Sequence, residues 1–521
     1  MIIKHIRTSK PKKQDKKLTA FVILDGFGLG KKGDLGNAIT KETAPNIFSY
    51  MQKYPFTTLS ASGVDVGLFP NQPGNSEAGH MNIGAGRVVK QDLVRISEAI
   101  HDGTFFKNEA LRQALFHAKK YKTAVHIITM LTDGNSAHAY PEHLYVMLEY
   151  FRRQKQKKVF LHLITDGRDS SPYGARGFLH ELRGHMLAQE KIATIGGRLY
   201  FMDRNKIWQR TQAAYDAMVL GEGEKAASAE EALVLSYDSD VTDEFIAPTV
   251  IYENKKPVAT VNDNDVIFFV NARSDRARQI TKAFVQSDFE KRSQATFHRK
   301  RVPKNIRFVA MSDFGPDLPG LFTAFPSPDI SNCLPKVIGE NYRQLYISEA
   351  EKYAHVTYFI NGGFADPLDG ERREMVKSFP IKSYSEKPAM NTAALLRRIL
   401  NVIKNDKFDF ICVNFPNADM VGHTGDIVAA RKAVTDLVKN VLKRNGQVLI
   451  VADHGNADEM QNTKTGALLT EHTLNRVPCI FIRRDSAKIH LRTGILADVA
   501  PTLLKMMGIE KPKEMTGKSL L

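Results

Sequence analysis

The chain has 521 residues, of which 43% are hydrophobic and 25% charged, and a formal net charge of +16. That length supports two to four domains around sizeable cores, while no stretch approaches the ~18 uninterrupted apolar residues of a helical membrane span. The three cysteines, Cys333, Cys412 and Cys479, are odd in number and far apart, which argues against a disulfide framework or a CxxC metal site and for a reducing compartment, the cytoplasm by default.

Residues 1–17 carry seven Lys/Arg against the single acid Asp15. The apolar run that follows, LTAFVIL (18–24), is short, lacks a small-residue cleavage site and runs into Asp25; it reads as a strand, not a leader. GNSEAGH (74–80) poses a question. Ser76 before Glu-Ala is a natural helix N-cap, and a nucleophilic role would require activation from elsewhere in the chain. TAVHIITMLTDG, KVFLHLITDG, DVIFFVNAR, NIRFVAMSDF, FDFICVNFPNAD and GQVLIVADHG then read as buried strands ending in Asp, Asn or Gly turns. Segments 142–154 and 426–444 show helical spacing between them. A second basic segment, 291–307, holds seven Lys/Arg and no acid and is expected at the surface. The positive charge is thus mostly a tail and one segment, which predicts no specific nucleic-acid face.

Strands alternating with helices predict an α/β protein with largely parallel sheets, whose ligands gather at the carboxyl ends of the strands. Asp25, Asp133, Asp166, Asn271, Asp313, Asp419 and Asp453 stand there. Asp25, Asp419 and Asp453 are joined by His423, His454 and His472. Taken singly, each is more often a helix-capping acid or an ordinary histidine. Three Asp with three His exceed one tetrahedral site and suit two ions, a device for activating an oxygen nucleophile and holding a phosphoryl group. Ser76 would then have its activation. If Asp25 and Ser76 share a site with residues 419–472, both chain ends form one domain and the middle is an insertion. That middle carries Arg168, Arg198, Arg204, Arg273 and Arg276 just beyond strands or turns. Each alone is an ordinary surface charge, but together they suit a small, highly anionic substrate.

In order along the chain, ILDGFG, GNSEAGH, TDGRD, MDR, DRARQ, EKYAHVTYFINGG, NADMVGHTG, ADHGNAD and EMTGKSL closely resemble the cofactor-independent (2,3-bisphosphoglycerate-independent) phosphoglycerate mutases, which are alkaline-phosphatase-like metalloenzymes. The similarity runs from about Leu18 to the C-terminus. It implies a phosphatase-like metal domain made of 18–90 and 331–521, an inserted substrate (phosphotransferase) domain over 91–312, and a linker at 313–330, with hinges near 89–92 and 312–330. It also implies that Ser76 is the phosphorylated nucleophile. One metal would be held by Asp25, Ser76, Asp453 and His454, the other by Asp419, His423 and His472. His138, Arg168, Asp169, Arg198, Arg204, Arg273 and Arg276 would grip substrate, Lys352 would contact phosphate, and Asp169 would serve as general acid or base. The implied reaction carries phosphate from 3-phosphoglycerate to the serine and back to the 2-hydroxyl of the same glycerate, with two divalent ions and no 2,3-bisphosphoglycerate. Mn²⁺ is the expected metal, with Zn²⁺, Co²⁺ and Mg²⁺ as alternatives. The family implies a monomer acting on a small molecule, with no membrane partner.

Three features depart from the family pattern. DGNSAHAY (133–140) replaces the usual DGGVHSH, with one extra residue in the turn, and Tyr140 stands where a second histidine is usual. Glu471 precedes His472 in place of the common alanine. The basic extension 1–17 lies outside the match and segment 291–307 is more basic than the family pattern leads one to expect; both are expected to be dispensable for catalysis. A phosphatase, phosphodiesterase or phosphopentomutase on the same metal core is the nearest competing reading, and the DGRD and DRARQ arginines favour the phosphoglycerate pattern. A polyanion-binding protein led by its basic segments would leave the ordered metal-ligand motifs without a purpose.

Overall fold

LTAFVIL becomes a fully buried strand, Thr19–Leu24, at the centre of an eight-stranded sheet. The computed structural model describes residues 17–521 except 32, 34–35, 293–295, 316, 382–383, 388, 406, 423–436, 462–465, 467–468, 470 and 487. Within it, Glu371–Val376, Gln344–Glu349, Phe410–Phe415, Thr19–Leu24 and Gln447–Val451 lie side by side in that order, all parallel. Strands covered on both faces need apolar residues throughout, which is why Phe410–Phe415, Thr19–Leu24 and Gln447–Val451, all fully buried, show no alternation. The sheet continues with Val477–Ile482 and Phe56–Ser60, each antiparallel to its predecessor, and ends on Gly494–Ile495.

A second sheet of nine strands is parallel from one edge inward, in the order Leu321–Phe325, Arg307–Ser312, Val266–Val270, Val125–Leu131, Val159–Thr165 and Glu190–Gly197. Thr249–Glu253 then joins antiparallel. The fold is α/β with two largely parallel sheets, and the antiparallel strands are confined to one side of each. The described residues divide into two units, one running up to Gln91 and resuming over Asp329–Leu521, the other spanning Asp92–Pro328. Each has its own apolar core, around Phe21, Ile23, Val413 and Ile450 in the first and around Phe201, Tyr215, Phe269 and Phe308 in the second.

The helix expected over 142–154 spans Pro141–Arg153, with proline in its first turn. That ring's fixed φ suits a helix start. Of the segment 426–444, residues 437–443 are helical; the part at 426–436 lies outside the described residues, as do 1–16. The basic segment 291–307 is not uniformly surface. Arg299 is buried, donating from Nη1 to the carbonyls of Ala283 (2.9 Å) and Gln286 (3.1 Å) at the end of the helix Ser274–Val285. A guanidinium that satisfies the last carbonyls of a helix is structural, so charge counting alone misplaced it. Among the described residues, no helix is long and apolar enough to cross a membrane.

Candidate active site

Three adjacent parallel strands, Phe410–Phe415, Thr19–Leu24 and Gln447–Val451, end at the same edge of the first sheet. Asp25 follows the central one directly, Asp419 sits in the short helix Asn417–Gly422 after its neighbour, and Asp453 and His454 follow the third. Sheet order thus gathers residues from opposite ends of the chain, and all four are buried.

Ser76 meets them from the helix Ser76–Ala85. Its N-cap is Asn75, whose side chain accepts from Ala78 N at 2.9 Å, so the N-cap reading of Ser76 is off by one residue. Relieved of that duty, the Ser76 hydroxyl points into the acidic cluster. It lies 3.2 Å from Asp25 Oδ1, 2.9 Å from His454 Nε2 and 2.6 Å from Lys352 Nζ. Lys352, buried, also reaches Asp25 Oδ1 (2.7 Å) and Asp419 Oδ2 (2.5 Å). Burial alone would lower its pKa, but the Asp25, Asp419 and Asp453 carboxylates win and hold it well above its ordinary value. Asp25 is buried too, yet Lys352 and His454 keep its carboxyl below the usual range.

The donor set fits divalent ions. His454 and His472 stack with ring centroids 4.1 Å apart. His472 Nδ1 lies 2.8 Å from the Gly74 carbonyl and His454 Nδ1 3.2 Å from that of Gly455. Each Nδ1 therefore carries a proton and turns its ring so that Nε2 faces the carboxylates. Burial would lower the His454 pKa, but Asp453, Asp25 and Asp419 push it up to about 9, and a bound metal ion would take the place of that Nε2 proton. Asp419, His454 and His472 form one compact group of donors and Asp25, His80 and Asp453 another. His80 Nδ1 bonds the Ser76 carbonyl at 2.9 Å. Asp453 Oδ2, although 3.2 Å from the same nitrogen, is left buried without a hydrogen bond. An unbonded, buried carboxylate oxygen calls for a cation. His423 lies outside the described residues.

His80 and Asn414 had no place in the sequence reading. Both had a signal: His80 stands four residues after Ser76, one helical turn on, and Asn414 is a polar residue in an otherwise apolar strand. Asn414 Nδ2 donates to Asp25 Oδ2 at 2.6 Å and orients that carboxylate.

The second unit places the other residues at the carboxyl ends of its own central strands. Asp166 follows Val159–Thr165, and Arg198 follows Glu190–Gly197. Arg198 is buried, ion-paired to Asp166 and, at 2.9 Å, to Asp169 Oδ2. The Asp169 side chain is 34% exposed; its partial desolvation raises the pKa, but Arg198, Ser136 and His138 outweigh this and lower it. Burial and then the Arg198 charge push His138 down to about 4. Arg204 and Arg273 share Asp275, at 2.5 and 3.2 Å. Arg276 is pushed down to about 10, by burial and then by the like charges of Arg198, Arg204 and Arg168. Arg168 is the most open, 53% exposed and 3.4 Å from Glu244. Such like-charge crowding is unfavourable unless an anion relieves it, so the cluster is chemically suited to one. Asp166, expected only as a strand-end acid, pairs with Arg198, and Asp275, which had no expected role, pairs with Arg204 and Arg273.

The family model described as "BPG-independent PGAM N-terminus" matches residues 96–316. Named 2,3-bisphosphoglycerate-independent phosphoglycerate mutases are similar over nearly the whole chain. That of Clostridium acetobutylicum is 44% identical over 515 residues, covering 97% of this chain and 99% of its own. That of Moorella thermoacetica is 44% identical over 510 residues, covering 96% and 97%. Among solved structures, Leishmania mexicana phosphoglycerate mutase at low cobalt concentration superposes with a TM-score of 0.79 at 30% identity, over 98% of each chain. Identity at this level along both chains, with the fold matched end to end, is decisive: the chain belongs to the 2,3-bisphosphoglycerate-independent phosphoglycerate mutases and is an isomerase of that family.

Proposed function

We propose that the protein interconverts 3-phosphoglycerate and 2-phosphoglycerate through a phosphoserine on Ser76, with two divalent metals and without 2,3-bisphosphoglycerate. The observation that carries this is the Ser76 hydroxyl, set at a helix start among Asp25, His454 and Lys352. Asp25, Ser76, Asp453 and His454 would hold one ion, and Asp419, His472 and His423 the other. A divalent ion bound there lowers the pKa of an oxygen ligand and neutralises charge on phosphoryl oxygens.

Ser76 Oγ, its hydroxyl proton given up to solvent, attacks phosphorus as the bond to the glycerate 3-oxygen breaks, and that oxygen takes up a proton. In the return step the 2-hydroxyl loses a proton and attacks the phosphoserine as the Oγ–phosphorus bond breaks, releasing Ser76 as the deprotonated form that began the cycle. The positive end of the helix Ser76–Ala85 favours the phosphate on its first residue, and the Lys352 ammonium supplies a further donor. Asp169 is the group that exchanges protons with the glycerate hydroxyls. Arg168, Arg198, Arg204, Arg273 and Arg276, with His138, bind the carboxylate and hydroxyls and keep glycerate from leaving between half-reactions. Mn²⁺ is the expected ion, since mixed carboxylate and imidazole donors make an all-Mg²⁺ site less natural. Three buried, unpaired cysteines support a cytoplasmic setting.

The test follows the phosphorus spectrum of metal-stripped protein given Mn²⁺ and 3-phosphoglycerate, beside Ser76→Ala. Metal-dependent 2-phosphoglycerate that is absent in Ser76→Ala is the expected result. Inorganic phosphate in its place would sink the mutase reading while leaving a metal phosphatase.

A further inference from the structure

The two oxygens of Asp169 are not equivalent. Oδ2 accepts from Ser136 Oγ at 2.8 Å and lies 2.9 Å from Arg198 Nη1, while no described residue bonds Oδ1. Ser136 is fully buried, in the DGNSAHAY turn that departs from the family pattern. Its oxygen accepts from His138 N at 3.2 Å, so its one proton is directed at Asp169. Arg198 cannot follow a turning carboxylate, because Asp166 holds the same guanidinium nitrogen. A carboxylate rotates easily about its terminal torsion, and two donors fixed on one oxygen stop that rotation.

We propose that Ser136 is a positioning residue for Asp169: with Arg198 it engages Oδ2 and leaves Oδ1 as the atom that exchanges protons with the substrate hydroxyls. This rests on the proposed acid–base role of Asp169. Ser136 itself is buried behind the carboxylate and acts only through it. Its loss therefore disturbs proton transfer and leaves substrate binding in place. The Ser136 hydrogen bond also favours the ionised form of Asp169.

The experiment compares Ser136→Ala, Ser136→Cys, Ser136→Thr and Asp169→Asn in the metal-loaded enzyme with 3-phosphoglycerate, measuring kcat, KM and the pH profile of kcat. Circular dichroism and thermal melting monitor the fold. Ser136→Ala is expected to lose kcat about tenfold, the worth of one hydrogen bond to a charged group, with KM within about twofold. Its acidic limb moves to higher pH, since a carboxyl without that donor ionises less readily. Ser136→Cys keeps the volume with a weak donor and should reproduce the loss if Ser136→Ala does not fold. Ser136→Thr should restore most of kcat. If Asp169→Asn abolishes turnover while Ser136→Ala and Ser136→Cys keep the wild-type kcat and pH profile, the positioning role is wrong and the acid–base reading stands. If Asp169→Asn keeps the wild-type kcat, the acid–base reading fails and the positioning role with it.

Discussion

The Lys352 ammonium nitrogen lies 2.6 Å from the Ser76 hydroxyl oxygen, bridging it to Asp25 and Asp419. One cation thus touches residues from both proposed metal groups. In metal-free protein Lys352 is the charge that offsets buried carboxylates, and removing one partner of a buried ion pair costs about 3–5 kcal/mol. Lys352→Met should therefore destabilise the metal-free protein by roughly that amount, with Mn²⁺ restoring most of the loss. Urea unfolding with and without chelator reads this directly. Equal destabilisation in both conditions would show that Lys352 matters for packing and not for charge.

Asn75 tests how far the start of the serine helix governs chemistry. Asn75→Ala removes the bond to Ala78 N and should cost about 1 kcal/mol of stability. Because Ser76 is the very next residue, kcat should fall as well, with a smaller change in KM. A variant with lowered thermal midpoint and unchanged kcat would separate the cap from the nucleophile.

Gly79 sets two effects against each other. Alanine is favoured over glycine in a helix interior by about 1 kcal/mol, and Gly79 lies inside Ser76–Ala85. Yet a Cβ there would stand 2.6 Å from the Asp453 carbonyl oxygen and 2.9 Å from the Asp453 Cβ. Both are fixed parts of the sheet edge that carries the ligands, so the clash dominates. Gly79→Ala should lose stability and weaken Mn²⁺ binding by titration calorimetry. A stabilised variant with unaltered affinity would refute this.

His143, 2.8 Å from Ser97 Oγ, is pushed down to about 3 by burial alone. The unfolded chain takes up this proton near pH 6.5 and the folded protein only near pH 3. The unfolded state thus binds more protons between those values, and stability falls as pH drops through that window. His143→Gln removes the group, so its urea midpoint should decline less steeply from pH 7 to pH 4 than that of the wild type. Parallel declines would assign the acid sensitivity elsewhere, for instance to His138, which is pushed down to about 4.

The sequence made strands and their ends legible because strands buried on both faces must be apolar and must stop at polar turns. TAVHIITMLTDG and GQVLIVADHG became Val125–Leu131 and Gln447–Val451, with the acids where ligands gather. Periodicity does not encode which strands are neighbours, so the convergence of Asp25, Asp419 and Asp453 came from ordered motifs and from sheet order. Side-chain partnerships were less legible still. Nothing local distinguishes Asn75 from Ser76 as the cap, or reveals that Asp166 holds Arg198. Arg299 read as surface charge because its helix-end carbonyl partners come from residues 283 and 286, at the end of the helix Ser274–Val285 and more than ten residues back along the chain.

The first strand carries a consequence for synthesis. Asp25 and Asn414 are hydrogen-bonded neighbours yet 389 residues apart, and both strands that flank Thr19–Leu24 come from the last quarter of the chain. At ~5–20 residues per second of translation this strand waits roughly 20–80 s for its first partner. Throughout that time TAFVIL is an apolar segment with open edges on a ribosome-bound chain. The six parallel strands of the second sheet are all made within residues 125–325 and need no such delay. Nascent-chain vulnerability should therefore concentrate at the N-terminal strand, where a holdase would find its binding sequence.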